Sequence, residues 1–159
     1  MNLSDIQPVK FPIQAMMLVS DTRETYTGTG WKDRTLDAVE LNQIPGASLA
    51  GGQFTLPVGK YLCTLCVSSN RTEQGQEQIY NITDSASYRG MCNWFDSSGG
   101  EGHDQSMSTM IIEIAASKVF KIQSYVGTND GSRTGEEDEL DSQQYGVTTL
   151  RILRYDDTV

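Results

Sequence analysis

The 159-residue chain holds one histidine, three cysteines and four prolines, and each scarcity excludes something. Nucleophilic catalysis needs a hydroxyl or thiol, a base that activates it and a third group that orients the base. The lone His103 stands in Gly99-Gly100-Glu101-Gly102-His103-Asp104, the composition of a solvated loop tip. A metal site fails on ligand supply for the same reason. Three cysteines cannot all pair within one chain, and Cys63 and Cys66 fall in an alternating apolar segment. Residues three apart in a strand point to opposite faces, so the C-x-x-C spacing reads as small, mostly buried thiols rather than a shared metal or a disulfide. Cations are scarce as well, 12 Lys and Arg against 21 Asp and Glu, giving a net charge of −9. That balance disfavours nucleic acid and anionic membrane as partners. No apolar run approaches the roughly 20 residues of a spanning helix. Ala15-Met16-Met17-Leu18-Val19 is too short and too far in for a signal peptide, so the expectation is a protein cytosolic when made.

What the chain does have is alternation. In Gln53-Phe54-Thr55-Leu56-Pro57-Val58-Gly59-Lys60-Tyr61-Leu62-Cys63-Thr64-Leu65, Phe54 and Leu56 alternate with polar neighbours, the period of a half-buried strand. Pro57 and Gly59 suit the second and fourth positions of a type I turn, predicting strand, tight turn, strand: a hairpin. Tyr61, Cys63 and Leu65 resume on one face, yet Leu62 and Cys66 make the other face partly apolar, as in a strand covered on both sides. Further strands are predicted over 15–20, 77–83, 87–95, 106–115, 118–125 and 146–155. Residues 36–42 form a strand or one bent element, and 25–30 and 44–52 are turn-rich loops. About eight to ten short strands with turn signals between them predict an all-β fold, a jelly-roll-like antiparallel β-sandwich. Length and the absence of repeats or linkers predict one domain over 15–159, preceded by an extended arm over 1–14 that contains Pro8 and Pro12.

The polar clusters carry plain readings. Glu136, Glu137, Asp138, Glu139 and Asp141 could hold calcium, but they lack the spacing and central glycine of an EF-hand loop; they read as a solvated acidic loop, and no cofactor is expected. Paired carboxylates for glycoside hydrolysis stay open, since their separation is invisible in sequence. Asn70-Arg71-Thr72 and Asn81-Ile82-Thr83 match the glycosylation sequon. Trp31 and Trp94 are flanked by turn residues, which reads as partial burial at an edge, with sugar stacking the alternative.

A series of ordered landmarks resembles small virion proteins of tailed bacteriophages. They are Trp31-Lys32-Asp33-Arg34-Thr35-Leu36, Asn42-Gln43-Ile44-Pro45-Gly46-Ala47-Ser48-Leu49, Phe54-Thr55-Leu56-Pro57-Val58-Gly59-Lys60-Tyr61 and Ile79-Tyr80-Asn81-Ile82-Thr83-Asp84. With an apolar final strand, they span residues from about 15 to 155. The resemblance implies a compact sandwich shaped like the tumour-necrosis-factor and C1q jelly-roll modules, which are commonly trimeric. It implies a role on the virion surface: capsid decoration (cement) protein, head fibre or tail-fibre domain; the residues themselves make an enzyme the least supported class. The acidic segment 136–141 and the cysteine-bearing strand depart from that pattern.

Among these roles the chain best suits decoration of the head, because it has no stalk and no heptads, only the short arm. The expected partners are a second and third copy of itself and the major capsid protein or another virion protein. Tyr61, Leu62, Cys66, Leu150, Ile152 and Tyr155 are expected at the subunit interface, and Ile6, Val9, Phe11 and Ile13 on a capsid-contacting arm. The rival is a receptor-binding module that meets the host through loops at 94–103 and 127–141.

Overall fold

The protein is described here by a computed structural model, which covers residues 13–20, 24–25, 29–70, 74–94, 103–126, 133–134 and 148–155. Among these residues there is no helix. The strands are β1 (Gln14–Ser20), β2 (Glu24–Thr25), β3 (Gly30–Arg34), β4 (Ala38–Asn42), β5 (Ser48–Ala50), β6 (Gln53–Leu56), β7 (Gly59–Asn70), β8 (Gln74–Asn81), β9 (Ala86–Trp94), β10 (His103–Ile114), β11 (Lys118–Val126), β12 (Arg133–Thr134) and β13 (Thr148–Tyr155). All pairings among them are antiparallel.

Two sheets result. The first runs β4-β1-β13-β7-β10, with the short β12 and β2 continuing beyond the end of β13. The second runs β5-β6-β11-β8-β9, with β3 following β6 along the same edge of β11. The chain changes sheet between β2 and β3, β3 and β4, β4 and β5, β6 and β7, β7 and β8, β9 and β10, β10 and β11, and β11 and β12. Such repeated crossing makes the antiparallel sandwich a jelly roll.

Alternation decides what fills the space between the sheets. Met16 and Leu18 from β1, Tyr61, Cys63, Leu65 and Val67 from β7, Met110, Ile112 and Ile114 from β10, and Leu150 and Ile152 from β13 point inward. They meet Phe54 and Leu56 of β6, Ile79 of β8, and Phe120 and Ile122 of β11. Phe54 and Phe120 stack with centroids 5.4 Å apart and planes at 18°. The aromatic pair adds packing specificity to the area it buries.

One sequence expectation is overturned. The segments on either side of Pro57 are not a hairpin. β6 pairs with β5 and β11, whereas β7 pairs with β10, β12 and β13. Pro57 and Val58 therefore carry the chain over the rim of the sandwich from one sheet to the other. The two apolar faces look at each other across the core instead of lying side by side. Alternation marks which face of a strand is apolar and is silent on which strand lies beside it. The corner is pinned by side chains: the Tyr61 hydroxyl donates to the Pro57 carbonyl at 2.6 Å, and Arg154 Nη2 donates to the Val58 carbonyl at 3.2 Å. Smaller differences are the strand β5 inside the expected loop 44–52 and β2 at the edge of the expected loop 25–30. Residues 38–42 form a strand exposed along its whole length.

Candidate functional site

The outer face of the first sheet is built by the residues that alternate with the core. Cross-strand register sets them in rows. Ala15 lies opposite Leu153, Leu153 opposite Leu62, and Leu62 opposite Ile111. At about 4.8 Å per strand this apolar row spans roughly 14 Å. Two rows further along, Thr149, Cys66 and Met107 are in register, and the row between holds Arg151, Thr64 and Thr109. The row on the other side pairs Tyr155 with Lys60 and Lys60 with Glu113, whose carboxylate is 3.7 Å from the Lys60 amine. Both partners of that ion pair are solvated, so it contributes little to stability.

Exposure singles out this face. Ile111 is 66% and Met107 67% exposed, while the leucines beside Ile111 are half-buried. Single exposed apolar side chains are ordinary on a protein surface. An aliphatic row in register that ends in exposed Ile111, with exposed Met107 two rows away on the same strand, is the arrangement that marks an interaction surface.

The expected interface set divides on this geometry. Leu62, Cys66 and Tyr155 lie on the outer face and are partly exposed. Tyr61, Leu150 and Ile152 are fully buried inside their own chain; they belong to the core and offer no surface to another copy. Strand parity explains the correction, because Tyr61 alternates with Leu62, and Leu150 and Ile152 alternate with Arg151 and Leu153. Ile111, Met107 and Leu153 are the outer-face residues missing from that set. The signal was in the sequence, since β10 alternates two apolar series, and only one of them fits in the core. Of the arm, Ile13 is exposed; Ile6, Val9 and Phe11 lie outside the described residues, as do the acidic segment 136–141 and most of the two loops expected to meet a receptor. The side chains of Trp94 and His103 are outside them too.

Several candidate chemical groups find structural places. Cys63 and Cys66 point to opposite faces of β7 and are not joined by a disulfide. Burial of the Cys63 thiol pushes its pKa up to about 12, so it is inert as a nucleophile. Asn81 of the second sequon is buried. Its amide donates to Asp84 Oδ2 at 2.9 Å, and its carbonyl accepts from the Asp84 backbone N–H at 3.1 Å. Lys118 completes that turn with a 2.6 Å contact to Asp84 Oδ1. An asparagine held this way is a turn anchor and is closed to glycosylation in the folded chain. Sequence reasoning missed the polar groups inside the sandwich. Arg34 and Glu77 are both buried, and Ser124 Oγ donates to Glu77 Oε2 at 2.6 Å. Glu77 and Ser124 share the strand parity of Ile79 and Ile122, which was the available signal. Among the described residues no group of three His, Cys, Asp or Glu is placed to hold a metal ion.

Comparison with known proteins bears on the fold. No protein-family model and no curated protein matches the chain. Among solved structures it is similar to murine APRIL at 10% identity, covering 89% of this chain and 98% of that one with a TM-score of 0.62. It is similar to the globular domain of zebrafish complement 1qA at 11% identity, covering 87% and 94% with a TM-score of 0.57. Eiger TNF from S. frugiperda matches at 8% identity over 93% and 96%, with a TM-score of 0.59. At such identities the likeness is one of fold, and the fold is the jelly-roll sandwich of TNF and C1q domains.

Proposed function

We propose that the chain is a non-catalytic building block that associates into a homotrimer through the outer face of its first sheet. The observation that carries this reading is the placement of Ile111 and Met107, both about two-thirds exposed and in register with Leu62 and Cys66. Jelly-roll modules of the TNF and C1q shape are commonly trimeric, and the apolar rows supply a surface that three copies can bury around a common axis through heterologous contacts. Each row lies within two residues of polar neighbours, which give the interface a register as well as an apolar centre.

The setting proposed for that trimer is the surface of a bacteriophage head, as a decoration protein bridging copies of the major capsid protein. This part rests on the ordered landmarks from Trp31 to Asp84 and on their resemblance to phage virion proteins. The protein would be made in the host bacterial cytoplasm and end on the virion.

Light scattering behind size exclusion tests the assembly directly. The expected mass is three times 17.6 kDa, and Ile111→Asp or Met107→Asp should give a folded monomer. A monomeric wild type at micromolar concentration overturns the trimer. Counting copies per particle tests the setting. Hundreds support the head, whereas a dozen or two, with specific binding of the isolated protein to host cells, would favour a receptor-binding tail module instead.

A further inference from the structure

The outer face of the second sheet has a different chemistry from that of the first. β3, β11, β8 and β9 bring together Trp31, Asp33, Tyr125, Gln123, Gln78 and Arg89, all opposite in parity to the core residues Ile79 and Ile122. Trp31 and Tyr125 meet edge to face with centroids 5.4 Å apart and planes at 68°. The Arg89 guanidinium lies 5.8 Å from the Trp31 centroid. That distance is at the outer limit of about 6 Å for a cation–π contact, so the contact is weak and easily exchanged for another. Arg89 has no carboxylate partner among the described residues.

Beside the aromatic pair runs an oriented chain of amides. Gln78 Nε2 donates to Gln123 Oε1 at 2.6 Å, and Gln123 Nε2 donates to Asp33 Oδ1 at 2.7 Å. Lys121 Nζ reaches both carboxylate oxygens of Asp33, at 2.7 and 2.9 Å. The chain fixes Asp33 in position while leaving its side chain 62% exposed. At its inner end Gln78 is only 2% exposed, and its Oε1 has no hydrogen-bond partner. Trp31 and Asp33 are two residues apart on one strand face, about 7 Å, close to the span of one sugar ring.

We propose that this face binds a saccharide: a pyranose stacks on the Trp31–Tyr125 pair, Asp33 and Gln123 take adjacent hydroxyls, and Arg89 takes a further hydroxyl or a ring carboxylate. Chemistry selects this occupant over a protein partner. A dry protein interface would have to strip the water from the Asp33–Lys121 ion pair. Sugar hydroxyls replace the departing waters one for one, while the apolar C–H face of the ring covers the indole. The face lies on the sheet opposite to the proposed assembly surface, so the inference stands whether or not the chain is a trimer.

The test uses the full chain in saturation-transfer NMR and calorimetric titration against two sets of oligosaccharides. One set is neutral (maltopentaose, cellopentaose, chitotetraose) and the other bears carboxylates (tetragalacturonate, tetraguluronate), followed by a broad glycan array. Binding in either set is expected, weakened at least about tenfold by Trp31→Ala and by Gln123→Ala, with mass and unfolding midpoint checked for each variant. Gln123 is only half-buried, so its variant, once shown to be folded, remains informative if Trp31→Ala fails to fold. Arg89→Ala separates the sources: a loss confined to the carboxylate set assigns Arg89 to an acidic sugar, and equal loss in both assigns it to a hydroxyl. No binding in either set or on the array, or binding unchanged in the folded Trp31 and Gln123 variants, overturns the proposal.

Discussion

The hydroxyl of Tyr61 donates a 2.6 Å hydrogen bond to the carbonyl of Pro57, four residues earlier. The donor sits on the first strand after the corner, in the buried core, and the acceptor at the turn of the corner itself, so this one bond ties the change of sheet to the packing beneath it. Tyr61→Phe keeps the ring and leaves the carbonyl short of a partner. A loss of about 1–2 kcal/mol is expected, read as a lower urea midpoint with unchanged m-value. A midpoint equal to that of the wild type would show that water replaces the hydroxyl.

Gly59 begins β7 under the same corner. A Cβ built there meets Tyr61 Oη and Arg154 Nε, each at 3.0 Å. Gly59→Ala therefore has to push away both groups that hold the corner. The expected cost is about 1–3 kcal/mol, in the range of overpacking. Combined with Tyr61→Phe, which vacates one of the two contacts, the loss should be less than additive.

At the other rim Gly90 of β9 lies against Ser108 of β10. A Cβ at Gly90 would come 2.6 Å from Ser108 Cβ and 3.2 Å from the Glu77 carbonyl. Here two strands of different sheets approach so closely that one of them must lack a side chain. Gly90→Ala is expected to be among the most damaging single substitutions in the protein, and Gly90→Ala with Ser108→Gly should recover much of the loss. Thermal unfolding of the four proteins of this cycle measures the coupling; simple additivity would deny the contact.

Asp33 and Asp84 both titrate below the ordinary value of 3.8. For Asp33, burial works to raise the pKa and is outweighed by the hydrogen bonds from Lys121 and Gln123 and by the Lys121 charge. For Asp84 the Lys118 hydrogen bond leads, with Asn81 adding to it, against a desolvation that works the other way. A folded pKa below the unfolded one means stabilisation that is present above about pH 4 and disappears as pH falls through the folded value. The difference in unfolding midpoint between wild type and Asp33→Asn/Asp84→Asn should thus be present at neutral pH and shrink towards zero below pH 4. A difference that is constant with pH would sink the assignment.

Thiol labelling reads both faces of β7 at once. In a Cys92→Ser background, Cys63 should resist alkylation until the protein unfolds, because it is buried and its pKa is raised to about 12. Cys66, on the outer face, should label at high dilution and be protected at concentrations where the trimer forms. Equal labelling of Cys66 at all concentrations would remove it from the interface.

Much of this was legible in the order of residues. Alternation in β6, β7, β10, β11 and β13 was enough for an all-β sandwich, because a strand with one apolar face has to bury it against another layer. The opposite orientation of Cys63 and Cys66 followed from the two-residue period alone. The choice between Leu62 and Tyr61 as surface residues did not, since both sides of β7 carry apolar groups and only the partner sheet shows which side is the core. The enclosure of Glu77 and Arg34 between the sheets was not anticipated.

The sequence by itself determined the class of fold, the inward and outward series on each strand, and the poverty of catalytic groups, all of which depend on local period and composition. Tertiary structure alone decided that Pro57 turns a corner between sheets, that Ile111 lines up with Leu62, and that Trp31, Asp33, Gln123 and Arg89 share one surface. Those facts depend on which strands lie side by side. Pairing between residues far apart in the chain is fixed by the packing of the whole sandwich, and no local pattern encodes it.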